Sequence, residues 1–536
     1  MNTPQKQFAL NHGAATKAVS CLLLAASTLA AAATDWPQYR GPTHDGISTD
    51  RIQKQWATGS PGFLLWRNNS LTNGFSSFAV SQGRAFTLMS RNLGGMKEVC
   101  VALDAATGTQ LWATPIDNAT YDVGGDEGLS GSYYTGGDGP RSTPAVQAGR
   151  VFALSAHLHL LCLNATNGSV MWSNNLVTQL GASEPDPGWQ NGASPRVDDD
   201  LIFVNLNSSY SGLTLVALRT TNGATAWSSQ SEKLMQTTPV VATLYGVRQV
   251  LFTTATGVVS VNRNTGAFLW RHPYAFSPYP TAMGASPVVY SNLVFYAAGY
   301  GRGSAVVRIN LTGNTWTTTN LWYKSTPALN YRSIWMTPVV HNGYLYGQFG
   351  DKNFVTAPLN CIEMETGVVK WSTNNFGQGG TILVDNNLLT LTEIGHLVLS
   401  QPNPEGYTEL ARYQAFTFTS SAPGKCWNAP AVADGRIYAR GTRGGMAIDV
   451  SVPPLKMLTP QPMAGNRLQL WVGTTTGGAI ATNRLAKMEI RATTNPALTL
   501  GNWTKLTNSL VLVGGQVRVD NVDSGPTRYF IATEQP

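Results

Sequence analysis

Short runs of alternating apolar and polar residues recur along most of the chain, six of them opened by proline and broken by a polar turn. The copies read TPAVQAGRVFAL, SPRVDDDLIFV, TPVVATLYGVRQVLF, SPVVYSNLVFY, TPVVHNGYLYG and APAVADGRIYA, with Ser77–Leu88 and Thr381–Leu391 as looser versions. A period of two predicts a hairpin in each. Proline at a strand start costs no ladder hydrogen bond. A second element follows most hairpins: LDAATGTQLW, LNATNGSVMW, LRTTNGATAW, VNRNTGAFLW and IEMETGVVKW. Each is an apolar strand end, a glycine-containing turn that calls for positive φ, and a strand closing on tryptophan. The same Gly-x-x-x-Trp spacing stands at Gly62–Trp66. Composition predicts about 1.5 such spacings by chance, so six copies mark an internal repeat.

Hairpin plus glycine-turn hairpin makes a four-stranded antiparallel unit. First arms begin near Phe78, Thr143, Ser194, Thr238, Ser286, Thr337, Thr381 and Ala429. Four strands at this period are the sequence form of a propeller blade, so residues 62–450 are expected to form an eight-bladed β-propeller. The eighth unit stops near Val450 without a fourth strand, and GFLLW at 62–66 is expected to supply it from the N-terminus. Residues 34–61 then form an N-terminal extension. Beyond the repeats, 451–462 (SVPPLKMLTPQP) reads as a stiff proline-rich linker. Alternating strands in 463–536 predict a small β-sandwich. The fold class is all-β.

The x-D-x-x-T-G-x-x-x-W units resemble the pyrroloquinoline-quinone (PQQ)-like repeat shared by quinoprotein dehydrogenases and BamB-type exported propellers. DWPQYRGPTHDGIS, DGPRSTP and KCWNAPAVADGRIYAR are similar to segments of exported PQQ-like propeller proteins. NWTKLTNSLVL with VDSGPTRYFIA resembles fibronectin-like C-terminal modules. The resemblance covers about residues 35–450 and implies a fold more than an activity, because one blade type serves enzymes and scaffolds alike. It also implies that Trp66, Trp112, Trp172, Trp227, Trp270, Trp322 and Trp371 pack between blades.

Composition sharpens this picture. With 43% hydrophobic residues the chain can fill a large core, and with only 12% charged it favours turns and strands over solvated helices. The net charge of +7 is scattered rather than gathered into a phosphate-tracking stripe, which argues against nucleic acid as a partner. Lys6 and Lys17 precede the apolar run AVSCLLLAASTLA and the small residues Ala31, Ala32 and Ala33, so 1–33 reads as a signal peptide. Cys21 stands at the start of that run, which argues against lipoprotein cleavage. No later stretch has the length of a membrane helix. The mature protein is expected to begin near Thr34 and to be periplasmic, cell-surface or secreted. Cys162 and Cys361 share one register of a repeated strand, so they and Cys100 and Cys426 are expected to be small buried apolar residues.

Propeller ligands bind at the mouth of the central funnel, just ahead of the innermost strands. The candidate ligand-binding residues there are Arg141, Trp189, Asn191, Arg332, Trp335, Lys425, Trp427 and Asn428. Asp138, Gln236, Tyr279 and Cys426 are neighbours, and Tyr210, Arg302, Asp351, Lys352, Glu393, His396 and Arg443 lie on loops reaching the same face. Guanidinium groups and indoles suit a flat anion. They equally suit a plugged funnel or a protein contact. A quinoprotein dehydrogenase would, by resemblance, need PQQ, a calcium site of Glu, Asn and Asp, and a catalytic Asp. Asp351 and Glu393 are the inner carboxylates available, and neither sits in a matching motif. Asp126, Glu127 and Asp138 read as parts of a flexible loop, and His157 with His159 as ordinary strand residues, so no metal site and no catalytic residue is assigned. The preferred reading is a non-catalytic binding platform for an envelope protein or glycan. The alternative is a PQQ- and calcium-dependent oxidoreductase acting on an alcohol or sugar.

Overall fold

The computed structural model describes residues 34–536 apart from 61, 72, 121–138, 184–189, 208–211, 278–282, 352–355, 526–527 and 535–536. The expected signal peptide, residues 1–33, lies outside them. Two compact units emerge, one spanning Ala33–Ser451 and the other containing Val452–Pro536.

The larger unit is a multi-bladed β-propeller, as the repeats predict. Among the described residues it holds eight sheets, here called blades one to eight. Their innermost strands are Ala79–Ser81, Ala145–Gln147, Arg196–Asp198, Val240–Leu244, Val288–Tyr290, Val339–His341, Gly380–Val384 and Ala431–Ala433. Blade one shows the pattern: Ala79–Ser81, Arg84–Asn92, Met96–Asp104 and Gln110–Asn118 follow one another as an antiparallel meander. Blade eight takes its outermost strand, Leu64–Asn68, from the N-terminus. That strand lies antiparallel to Gly444–Asp449, with Leu64 opposite Ile448 and Asn68 opposite Gly445.

The Gly-x-x-x-Trp repeat has a single physical explanation. In three of the repeats the turn before the glycine is fixed by the side chain that opens it: Asp104 Oδ1 accepts from the amides of Ala106 and Thr107, and Asn164 and Asn262 do the same in their blades. The tryptophan of the preceding blade then lies against the glycine and donates its indole N–H to the turn carbonyl. Trp66 reaches Ala105 O at 3.0 Å, Trp112 reaches Ala165 O at 3.1 Å and Trp227 reaches Arg263 O at 3.0 Å. Gly108 has φ of 70°, and a Cβ there would sit 2.5 Å from the Trp66 ring. The glycine therefore serves both the turn and the neighbour's indole. Blade five closes its outer hairpin differently, so Trp270 finds no such turn and donates instead to Gln249 Oε1 at 2.7 Å.

Residues 34–61, read as an extension, are built into the propeller. Ile47–Ser48 pairs in parallel with the innermost strand of blade seven as a fifth strand. Trp36 exchanges two backbone hydrogen bonds of 2.8 Å with Val80 of blade one, and Pro37 O accepts from Val146 of blade two at 2.7 Å. Gln38 Oε1 accepts from Val197 N of blade three, Arg40 reaches Thr337 O ahead of blade six, and Gly46 O accepts from Leu383 N of blade seven. The segment therefore crosses between blades on both sides of the axis and stops one end of the funnel.

In the smaller unit, five strands form one sheet and three the other: Leu455–Met457, Gln461–Met463, Arg467–Thr474, Val511–Val513 and Gln516–Asp523, then Met488–Thr493, Thr504–Lys505 and Tyr529–Glu534. Both contribute to one core containing Leu470, Val472, Ile490, Val519 and Phe530. The linker reading of 451–462 changes here, because Leu455–Met457 and Gln461–Met463 both pair with Arg467–Thr474. Pro462 is tolerated because its strand has a partner on one side only.

Cys100, Cys162, Cys361 and Cys426 are free and buried, as their register predicts. Burial pushes the Cys162 and Cys361 thiols up to about 11, which keeps them protonated at neutral pH.

Candidate functional site

The funnel of the propeller is an open cup with Tyr39 and Arg40 of the N-terminal segment among its lining residues. The innermost strands are held around it by side-chain hydroxyls. Residues three positions before the Val80, Val146 and Val197 register are Ser77, Thr143 and Ser194, with Thr238, Ser286 and Thr337 in the next three blades. Ser77 N donates to Thr143 Oγ1 at 3.0 Å, Thr143 N to Ser194 Oγ at 2.9 Å, Ser194 N to Thr238 Oγ1 at 2.9 Å and Ser286 N to Thr337 Oγ1 at 3.0 Å. Each bond joins one blade to the next. In blades seven and eight the corresponding residues are Gly380 and Ala429, and there the backbones close up directly: a Cβ on Gly380 would lie 2.4 Å from Ala429 Cα.

This belt makes a measurable prediction. Thr143→Val keeps the side-chain shape but leaves the buried Ser77 N–H without its acceptor, and should cost about 1–3 kcal/mol in urea unfolding. Thr143→Ser, which restores the acceptor, should recover most of that loss. Equal stability of the valine and serine variants would contradict the role assigned to the belt.

Of the residues expected at the mouth, Arg141, Trp335, Trp427 and Asn428 line the cup, and Gln236 joins them. They form a connected wall. The Arg141 guanidinium lies 5.3 Å from the Phe75 ring centre, Phe75 stacks on Trp427 at 5.4 Å, and Trp335 meets Trp427 at 4.3 Å. Lys425 is buried beneath the wall with Nζ 4.1 Å from the Trp427 ring centre. Trp427 Nε1 donates to Glu393 Oε1 at 2.9 Å and Trp335 Nε1 to Gln378 O at 3.1 Å, so both indoles are held rigidly.

Asn191 and Arg332 hold structure together. Asn191 is buried and bonds Ser155 O, Ala193 O and Ala193 N, which braces its own loop. Arg332 Nη1 pairs with Asp351 Oδ2 at 2.8 Å. Cys426 is buried, and its amide donates to Glu393 O at 2.9 Å. Arg443 Nε donates to Pro423 O. His157 and His159 turn to separate partners, Thr120 and Ser173. Trp189, Tyr210, Tyr279, Lys352, Asp126, Glu127 and Asp138 lie outside the described residues. Tyr39, Arg40 and the hydroxyl belt were missed from sequence. The recurring Ser/Thr-Pro step was the available signal for the belt.

The donor set does not fit a calcium-assisted quinone. Glu393 accepts from Trp427 Nε1 and, at 3.0 Å, from Gln378 N, while Asp351 accepts from Tyr300 N at 2.6 Å and pairs with Arg332. Both inner carboxylates are engaged within the protein, and neither is among the residues lining the cup. Among the described residues no group of three His, Cys, Asp or Glu side chains is placed to hold a metal ion.

The floor holds a buried guanidinium and a buried imidazole. Arg40 Nη1 donates to Thr337 O at 2.7 Å, and Nη2 to Pro338 O at 2.9 Å and Asp45 O at 2.8 Å. Burial pulls its pKa below the usual arginine value, against the opposing influence of Tyr39 and Asp45. His44, four residues on, is also buried, and burial together with Arg196 and Arg40 holds its pKa well below 6.5.

Comparison with known proteins agrees with this architecture. The family whose sequence profile matches residues 95–373 is described as outer membrane protein assembly factor BamB. A protein of that name from Moranella endobia (strain PCIT) is 23% identical over 301 residues, covering 54% of this chain and 70% of the relative. Among solved structures, a quinohemoprotein alcohol dehydrogenase from Pseudomonas putida HK5 superposes with a TM-score of 0.51 at 13% identity, covering 81% of this chain and 84% of that one. It shares the fold. BamB from Moraxella catarrhalis aligns over 70% of this chain and 93% of its own, at 15% identity and a TM-score of 0.43.

Proposed function

Since the chain belongs to the BamB-type family of PQQ-like repeat propellers, we propose that it is an exported binding platform of the cell envelope whose funnel mouth engages a protein partner. The observation that carries this reading is the cup itself. Its floor is closed by the chain's own N-terminal segment, its aromatic wall is held rigidly, and the inner carboxylates that chemistry would call on are committed to Trp427, Gln378, Tyr300 and Arg332. A rigid, stopped, aromatic-lined cup is suited to contact without turnover. No helix among the described residues is long and apolar enough to cross a membrane. The smaller unit is proposed as a fibronectin-like spacing or adhesion module.

The test is photocrosslinking in the native envelope, with a benzophenone amino acid in place of Trp335. One adduct, identified by mass spectrometry as an envelope protein and absent when the probe replaces Ala106 on an outer turn, is the expected result. A second measurement addresses the enzymatic alternative. PQQ plus calcium is expected to leave the unfolding temperature unchanged, whereas a ligand at a hundred times its Kd would stabilise the fold by about 2.7 kcal/mol. A shift abolished by chelator, with dye-linked alcohol oxidation, would replace the platform reading by a quinoprotein one.

A further inference from the structure

The floor of the cup gives the partner a chemistry, an inference that rests on the platform reading. Arg40 is 3% exposed and donates only to backbone carbonyls, and its Nε has no hydrogen-bond partner. No described carboxylate forms an ion pair with it. Asp45 is the carboxylate that acts on it, from beyond ion-pair distance, and a buried charge compensated only at that range is unfavourable unless something completes it. Among the described residues, those lining the cup include Arg40 and Arg141 and no Asp or Glu.

The belt adds donors. Thr143, Ser194 and Thr238 line the cup, and each hydroxyl oxygen already accepts a backbone N–H. Their O–H hydrogens have no acceptor among the described residues, so what the floor offers is positive charge and O–H donors, which suits an anion. Asn428 supplies the opposite. It is 6% exposed, lines the cup, donates its Nδ2 to Ser76 O and leaves its Oδ1 without a partner. A lone amide oxygen lining the same cup as these donors matches a peptide, which carries N–H groups next to its acidic side chain. Phe75, Trp335 and Trp427 offer the flat apolar surface.

We infer that the cup receives a carboxylate side chain from an acidic segment of the protein partner, with an adjoining aromatic residue against the indole wall. Charge complementarity selects this occupant: the buried Arg40 guanidinium, a set of hydroxyl donors and one unpartnered acceptor match a carboxylate on a peptide backbone.

The experiment titrates the chain from Thr34 onward with Ac-Gly-Tyr-Glu-Gly-NH2 and with its glutamine counterpart, followed by calorimetry and by quenching of indole fluorescence. The glutamate peptide is expected to bind about tenfold or more tighter, the usual scale for a charge-assisted hydrogen bond. Arg40→Gln should reduce that ratio to about one. Because Arg40 also anchors the N-terminal segment, Arg141→Gln and Asn428→Leu provide variants on the wall: the first should lower the ratio, and the second should weaken both peptides together. Equal affinities for the two peptides, or no saturation by either, would overturn the inference. So would displacement of the peptide by indole-3-acetate at lower concentration, which would make the occupant a free small molecule. Loss of discrimination with the Trp335 crosslink intact removes only the carboxylate. Loss of the crosslink together with PQQ-dependent oxidation removes the platform reading.

Discussion

Trp66→Ala is expected to lower the stability of the propeller by about 3–5 kcal/mol, the range for deleting a buried tryptophan from a core. Trp66 is 6% exposed, sits on the strand that completes blade eight, and docks onto blade one through Ala105 O. It also contacts Phe78 and Tyr438 edge-on and at a tilt. Its loss therefore opens the seam between the two ends of the ring. Gly108→Ala should also destabilise, for two separable reasons. Its φ of 70° is unfavourable for any residue with a Cβ, by about 1–2 kcal/mol, and that Cβ would strike the Trp66 ring. In the double variant only the first cost persists. The two single losses should accordingly sum to more than the double loss by about 1 kcal/mol or more, measured by urea unfolding. Simple additivity would mean that the indole does not press on the glycine.

Acid is the second large lever. The stability of the propeller is expected to fall below pH 6.5 at up to about 1.4 kcal/mol per pH unit on account of His44. Burial is the main reason its folded-state pKa is depressed, and Arg196 and Arg40 add repulsion. Neither ring nitrogen meets a partner in good hydrogen-bond geometry, and the Tyr39 carbonyl is a weak counterweight. The sign follows from proton counting. Between the depressed folded value and the ordinary 6.5, the unfolded chain holds a proton that the folded chain lacks, so stability rises with pH across that window and levels off above it. The carboxylates of Asp45, Asp198 and Asp199 act on the neighbouring arginines and moderate the repulsion. His272, His341 and His396 are depressed by burial as well, so the diagnostic is a comparison. His44→Phe preserves the ring packed against Tyr39 and should flatten the slope between pH 5 and 6.5. Parallel slopes for the two proteins would refute the assignment.

The blades were legible because their determinants are local. Asp104 or Asn164 opening a turn, a glycine four residues later and an alternating arm on either side are short-range requirements, and their repetition along the chain leaves little freedom of architecture. Even the closure of the ring could be read, since a strand ending in Trp66 without a hairpin of its own needs a host. The aromatic wall was half legible: Arg141, Trp335, Trp427 and Asn428 could be placed by their offset from the proline, while Phe75 could not. Asn191 and Arg332, at comparable offsets, turned out to serve their own loops, because an offset gives a residue's height along the funnel and not the direction of its side chain.

What the sequence by itself determined was the blade, its repetition and the pairing of each tryptophan with a glycine, all set by backbone conformation and by contacts between adjacent units. The tertiary structure alone decided that residues 34–61 cross the axis and stop the funnel. Nothing local in DWPQYRGPTHDG requires it. The segment has little regular structure of its own, and its backbone hydrogen bonds become available only once innermost strands far apart in sequence stand side by side around a common axis. The same condition turns Arg40 from an ordinary polar residue into the buried charge at the bottom of the cup.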